Sequence, residues 1–223
     1  MRDVVLKPRV GFCATGQHLV FLDAERDRYC MLAPRLEAYV RDWATGNVLE
    51  QAILADLVAT GLFEPVANGR TASEQCSIPR CTDTLCGSHP TADRNPKYWI
   101  RFIWACLLLA FFNALTGTLP LKGLLAISGS PRTKKRNSST PKDLSPLVES
   151  FVEAALFFPR KDRCLPDALA LRTFLAWHSC PTRIVFGVQS EPFQAHCWVQ
   201  FDNILVGQDL ETVMPFSPIL ALP

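Results

Sequence analysis

The sequence predicts an α+β protein of two units, and three observations carry that reading. Near the N-terminus, short β-rich runs give way to two segments with helical spacing of apolar residues. Residues 69 to 96 then lose apolar content and gain Gly, Pro, Ser, Thr and Asp, the composition of a connecting segment. The last 65 residues order as a helix followed by strands, with a Cys at the helix start and a His at a strand start. A chain of 223 residues is long enough for two small domains. The expected boundaries are residues 1–68 for the first unit, 69–97 for a linker and 98–223 for the second.

In the first unit, HLVFLD (His18 to Asp23), the polar turn AERD and RYCML (Arg28 to Leu32) read as a β-hairpin, after an earlier β-rich run from Val4. Ala33 and Pro34 open a helix whose apolar positions, Leu36, Tyr39, Val40 and Trp43, recur every three or four residues, and Gly46 stops it. A second helix is expected with Asn47 as N-cap, Glu50 three residues on, and Ile53, Leu54, Leu57 and Val58 as its stripe. Gly61 ends it.

The connecting segment holds Cys76, Cys81, Cys86 and His89. Their intervening spacings of four, four and two residues match no common zinc finger or ribbon, so no metal site is expected. Tyr98 to Leu115 follows as the most apolar stretch of the chain. Its uninterrupted run, Phe102 to Phe112, is shorter than the ~20 residues that cross a bilayer, so a buried or partly docked helix is expected over peripheral membrane contact. The basic run Arg132, Lys134, Lys135 and Arg136 lies among Ser, Thr, Asn and Pro and reads as a solvated loop. Another helix is expected from Leu144 to Phe158, stopped at Pro159.

A formal charge of +2 is too small to imply nucleic acid or an anionic membrane surface by itself, and no nucleic-acid partner is expected. Nine Cys behind an N-terminus, MRDVVLKPRV, without the features of a secretory signal point to free thiols in a reducing, cytoplasmic setting.

The chemistry concentrates near the C-terminus. In RCLPDALALRTFLAW, Pro166 fits the first turn of a helix with Leu165, Ala168, Leu169, Phe174 and Leu175 on its inner face. Cys164 therefore stands at the helix N-terminus, where the macrodipole and unsatisfied N–H groups favour a thiolate and can receive an oxyanion. Thr182 to Val188 reads as a strand, QSEPFQ as a loop, and HCWVQF as a strand that begins at His196 and turns back through Asp202-Asn203 into Ile204 to Val206. Cys164 is the candidate nucleophile and His196 its base. Counting outward from Phe201 opposite Ile204 sets His196 opposite Asp209, which could fix the imidazole tautomer. Gln208 would then face the other way, together with Cys197.

These residues resemble the leader peptidases of lasso-peptide biosynthesis, whose catalytic part is transglutaminase-like. The resemblance lies in RCLPDALALRTFL, in RIVFGVQSEPFQAHCWVQ with Gly187, Pro192, Phe193, His196 and Trp198, and in the closing VGQDLETVMPFSPIL. The N-terminal HLVFLDAERDRYCMLAPRLEAYV looks like a small PqqD-like leader-recognition domain. The resemblance implies a winged-helix-like unit, a three-stranded sheet plus helices, followed by a transglutaminase/papain-like cysteine protease. It implies cleavage of the leader from a precursor peptide, with no cofactor of its own. A separate asparagine-synthetase-like cyclase would use ATP to close the core peptide.

Ungapped alignment with the family pattern puts the usual acid at Gln208, while the hairpin register favours Asp209. Asp209 is preferred here for its charge, with Gln208 as the alternative and Asp202 disfavoured. A leader-binding adapter without catalysis and a thiol-dependent acyltransferase are the other function classes left open.

Overall fold

The computed structural model describes residues 4–47, 50–66, 78–87, 94–128, 141–158 and 163–223. Cys76, His89, Pro159 and the basic run at 132–136 lie outside them.

The N-terminal unit begins with β1 (Val4–Leu6), β2 (Val10–Thr15), β3 (His18–Asp23) and β4 (Arg28–Met31). Strands β2, β3 and β4 form an antiparallel three-stranded sheet in that order, while β1 pairs with β5 (Phe63–Pro65). Helices α1 (Pro34–Thr45) and α2 (Gln51–Ala59) lie between β4 and β5 in the chain. Pro34 lies in the first turn of α1 and Gly46 caps its end. The N-cap of α2 is Glu50, three residues beyond the expected Asn47. Among the tertiary pins, the Trp43 indole donates to the Val4 carbonyl at 3.0 Å, and buried Glu37 accepts from the Leu19 N–H and the Arg41 guanidinium.

Strand β3 explains why HLVFL reads as a nearly continuous apolar run. Leu19 and Phe21 enter a small core with Val40, Trp43, Leu57 and Phe63, whereas Val20 and Leu22 enter the large core of the C-terminal unit. A strand buried on both faces loses the alternation of a half-exposed one. The first unit is consequently joined to the second by a shared core, not only by the connecting segment.

The C-terminal unit comprises β6 (Asp83–Leu85), α3 (Pro96–Thr116), α4 (Leu121–Ile127), α5 (Pro141–Ala155), α6 (Cys164–Trp177), β7 (Arg183–Ser190), β8 (Phe193–Phe201), β9 (Ile204–Val206), α7 (Leu210–Val213) and β10 (Ser217–Leu222). Its five-stranded sheet has the order β10-β7-β8-β9-β6, antiparallel except for the β6–β9 pair. Helix α6 lies against β7 and β8 and is backed by α3 and α5. On the opposite sheet face, Val185, Trp198, Leu205 and Val213 form a smaller cluster with Phe216 and Ile78 against it.

Two expectations need correction. The 69–97 linker contributes β6, whose short polar sequence carries no strand pattern because it pairs through its backbone at a sheet edge. The QSEPFQ loop is a tight hairpin, with Ser190 opposite Phe193 around Glu191-Pro192. The apolar helix spans 21 residues, long and apolar enough by length and composition to cross a membrane. Only one of its faces is docked: Ala105, Leu108, Leu109 and Phe112 are buried, while Ile100, Ile103 and Leu107 stand exposed.

Candidate active site

Helix α6 positions the thiol. Eight consecutive residues, Ala168 to Leu175, are buried, so the helix is fixed along its length and its first residue, Cys164, is held at one place beside β8. No side chain caps this N-terminus. Pro166 has no N–H and the Asp167 N–H bonds the Arg163 carbonyl at 3.1 Å. The first-turn donors directed out of the helix end are thus those of Cys164 and Leu165, where an oxyanion would be received. Arg163 beside the thiol is buried, pairs with Asp167 at 2.7 Å and lies over the Phe158 ring.

Strand β8 positions the imidazole. His196 and Trp198 share a face, their rings 6.2 Å apart, and Phe216 covers His196 from 5.2 Å. Gly187 lies opposite His196 on β7. A Cβ there would fall 2.6 Å from the Trp198 ring, so glycine is what lets the indole lie beneath the histidine.

The expected Cys164 and His196 are brought together. The Cys164 thiol lies close to the Cys197 thiol, the His196 imidazole and the Cys197 backbone, all placed to favour its thiolate. These interactions, the Cys197 bond foremost, outweigh burial and bring its pKa down to about 4. The Cys197 thiol moves the opposite way, well above its ordinary value, because the Cys164 thiolate accepts its proton and because it is buried. Burial lowers the His196 pKa, but its hydrogen bonds to Cys164 and Gln208 and the thiolate charge raise it further, leaving the net direction upward. Both shifts favour a thiolate–imidazolium pair.

The third residue is not the preferred one. His196 Nε2 lies 2.8 Å from Gln208 Oε1. Asp209 instead stands at the N-cap position of α7, without a side-chain cap bond, and beside the Cys86 thiol, whose pKa rises to about 11 through burial and then through that carboxylate. The register count fails for a local reason. The turn at Asp202-Asn203 and the pairs Phe201–Ile204 and Val199–Val206 are as expected, but the ladder ends there. Gly207, at φ +77°, turns the chain out of the strand, so Gln208 swings onto the histidine and Asp209 away from it. With Nε2 held by the amide carbonyl, Nδ1 is the nitrogen left for the thiol. An amide in this role serves the Cys-His-Asn arrangement of papain-like proteases, which needs tautomer and orientation fixed more than it needs a third charge.

Three neighbours carry no signal of their role in the sequence. Cys197 is expected to pack as a small apolar group, and its contact with Cys164 depends on how α6 docks. Phe216 lies in a tail without periodicity. Tyr29 comes from β4 of the N-terminal unit. It packs against the core cluster that contains Cys197, with Cys164 at its edge, and meets Phe193 edge-on at 5.6 Å. Its phenol pKa is pushed up by burial, then by the nearby Cys197 and Cys164. Nothing in RYCML marks it. Among the described residues no group of His, Cys, Asp or Glu could hold a metal ion.

No match is found among curated proteins or among solved structures. The family model described as "Transglutaminase-like superfamily" matches residues 107–221, which runs from mid-α3 through the thiol, the imidazole and the closing strand. Members of that superfamily are generally cysteine-dependent enzymes of protease or acyltransferase type. A matched span of more than half the chain, enclosing Cys164 at a helix start and His196 on the adjoining strand, shows that this protein belongs to the transglutaminase-like superfamily.

Proposed function

We propose that the chain is a cysteine peptidase that removes the leader from a ribosomally made lasso-peptide precursor in the cytoplasm. The freed core amine would then be closed into a macrolactam by an asparagine-synthetase-like cyclase acting beside it, and ATP belongs to that partner's chemistry. The observation that carries this reading is Tyr29. It sits on β4, the terminal strand of the small sheet, and it also lies beside the thiol pair. A peptide added to the β4 edge by backbone hydrogen bonds would lead toward Cys164. Binding there would raise the effective concentration of the scissile bond at the thiol.

In the first step the Cys164 thiolate adds to the scissile carbonyl, and the oxyanion is received at the start of α6. The C–N bond breaks as the His196 imidazolium protonates the leaving amine, the core N-terminus, and the leader remains as a thioester. His196, now neutral, takes a proton from water as that water attacks the thioester, which releases the leader carboxylate and restores the thiol pair. Gln208 holds the imidazole through both steps. Its bond to His196 supports a working enzyme over a leader adapter, since the third position is filled.

The test is to incubate the purified protein with the precursor and follow leader release by mass spectrometry. Cys164→Ala should abolish release while leader binding persists. Full release by that variant would overturn the assignment.

A further inference from the structure

One exposed side of α3 is apolar throughout. Trp99, Ile100, Ile103, Leu107 and Phe111 are exposed along it, with Ala110 and Ala114 between them. Ile100 is 69% exposed, Ile103 57% and Leu107 54%, so each gives more than half of its surface to solvent. The opposite side holds Ala105, Leu108, Leu109 and Phe112 in the core. A helix on the surface of a water-soluble domain normally turns polar residues outward, so this face is built for an apolar neighbour. It is widened at its border by Phe157, which meets Phe102 at 5.6 Å, and by Trp177, which meets Trp104 at 4.4 Å. Both are more than half exposed.

Charge identifies the neighbour. From Arg94 to Lys142 the sequence contains nine basic residues and no acidic one, in a chain whose formal net charge is +2. Within the described part, Arg94, Lys97 and Arg101 lie at and before the first half of α3. Arg94 lies over the rings of Tyr98 and Trp99. Tryptophan beside arginine at the border of an apolar stripe is the chemistry of a headgroup region, where the rings sit at the apolar boundary and the cations meet lipid phosphate.

We propose that α3 docks this protein on an anionic membrane surface, lying in the plane of the interface with its outer face among the acyl chains and Arg94, Lys97 and Arg101 toward the headgroups. A spanning arrangement is excluded by the inner face, whose core contacts hold α3 to α5 and α6. Docking of this kind combines buried apolar area with the attraction of basic residues to the anionic surface, and salt screens the second part.

The test is flotation of the full chain with vesicles of phosphatidylcholine alone or of equimolar phosphatidylcholine and phosphatidylglycerol, at low and high salt. The expected result is binding to the phosphatidylglycerol vesicles, weakened at high salt and weakened about tenfold or more by the double change Ile103→Glu and Leu107→Glu. Circular dichroism shows whether the variant is folded, and the milder Leu107→Ser gives an intermediate loss if it is not. No flotation by the folded wild-type chain would overturn the proposal. So would equal flotation of the folded glutamate variant, or a dimer in light scattering that the variant abolishes without any vesicle binding. That last pattern would assign the face to a second copy of the chain.

Discussion

Helices α3 and α6 pack against each other in one core, and both are apolar around most of their circumference, but their surroundings differ. Helix α6 is enclosed by the sheet on one side and by α3 and α5 on the other, whereas among the described residues α3 has neighbours on one side only. The same kind of sequence thus serves two ends. Enclosure fixes α6 and aims its first residue, Cys164, at His196. The other side of α3 is exposed among the described residues and is the surface proposed for membrane docking.

That comparison can be broken by stability measurements, where the largest effect is expected. Phe174→Ala on α6 removes a wholly buried ring and should cost about 3–5 kcal/mol in urea unfolding. Leu107→Ala on the outer side of α3 should fall within about 0.5 kcal/mol. A cost at Leu107 comparable to that at Phe174 would mean that α3's outer face is covered within the chain.

The next effect is kinetic. Gln208→Ala removes the group that fixes His196 and should lower the rate of leader release by about 10- to 100-fold, with little change in KM. Asp209→Ala should stay within about threefold of wild type, since its carboxylate faces Cys86. The reverse order would restore the hairpin count.

Much of this arrangement is legible in the sequence alone. Pro34 and Gly46 bound α1, and Pro166 with the apolar run behind it places Cys164 at a helix start, because these residues act through local backbone geometry. The shared core of β3 is half legible, since HLVFL signals burial on both faces without saying against what. What stays hidden depends on long-range docking. Strand β6 has no pattern beyond its backbone, Tyr29 meets the thiols only because β3 and β4 lie on the large core, and Gln208 replaces Asp209 only because one glycine ends a ladder.

A smaller effect concerns pH. The proposed leader release needs the thiolate and the imidazolium together, so activity should fall on the acid side as Cys164 gains a proton near pH 4. It should fall on the alkaline side as His196 loses its proton, above the ordinary histidine value because the net shift is upward. A profile with a single limb would mean that one ionisation alone controls the rate. Cys197→Ala removes the leading hydrogen bond to the Cys164 thiolate and should move the acid limb upward. An unmoved limb would show that His196 alone sets the thiol.

The most direct test of the activated thiol is the pH dependence of thiolate absorbance in the wild-type chain, read as the difference from Cys164→Ala. The account predicts a midpoint near pH 4, with Cys164 ionised throughout the physiological range. A midpoint in the ordinary thiol range, about 8 to 9, would contradict it.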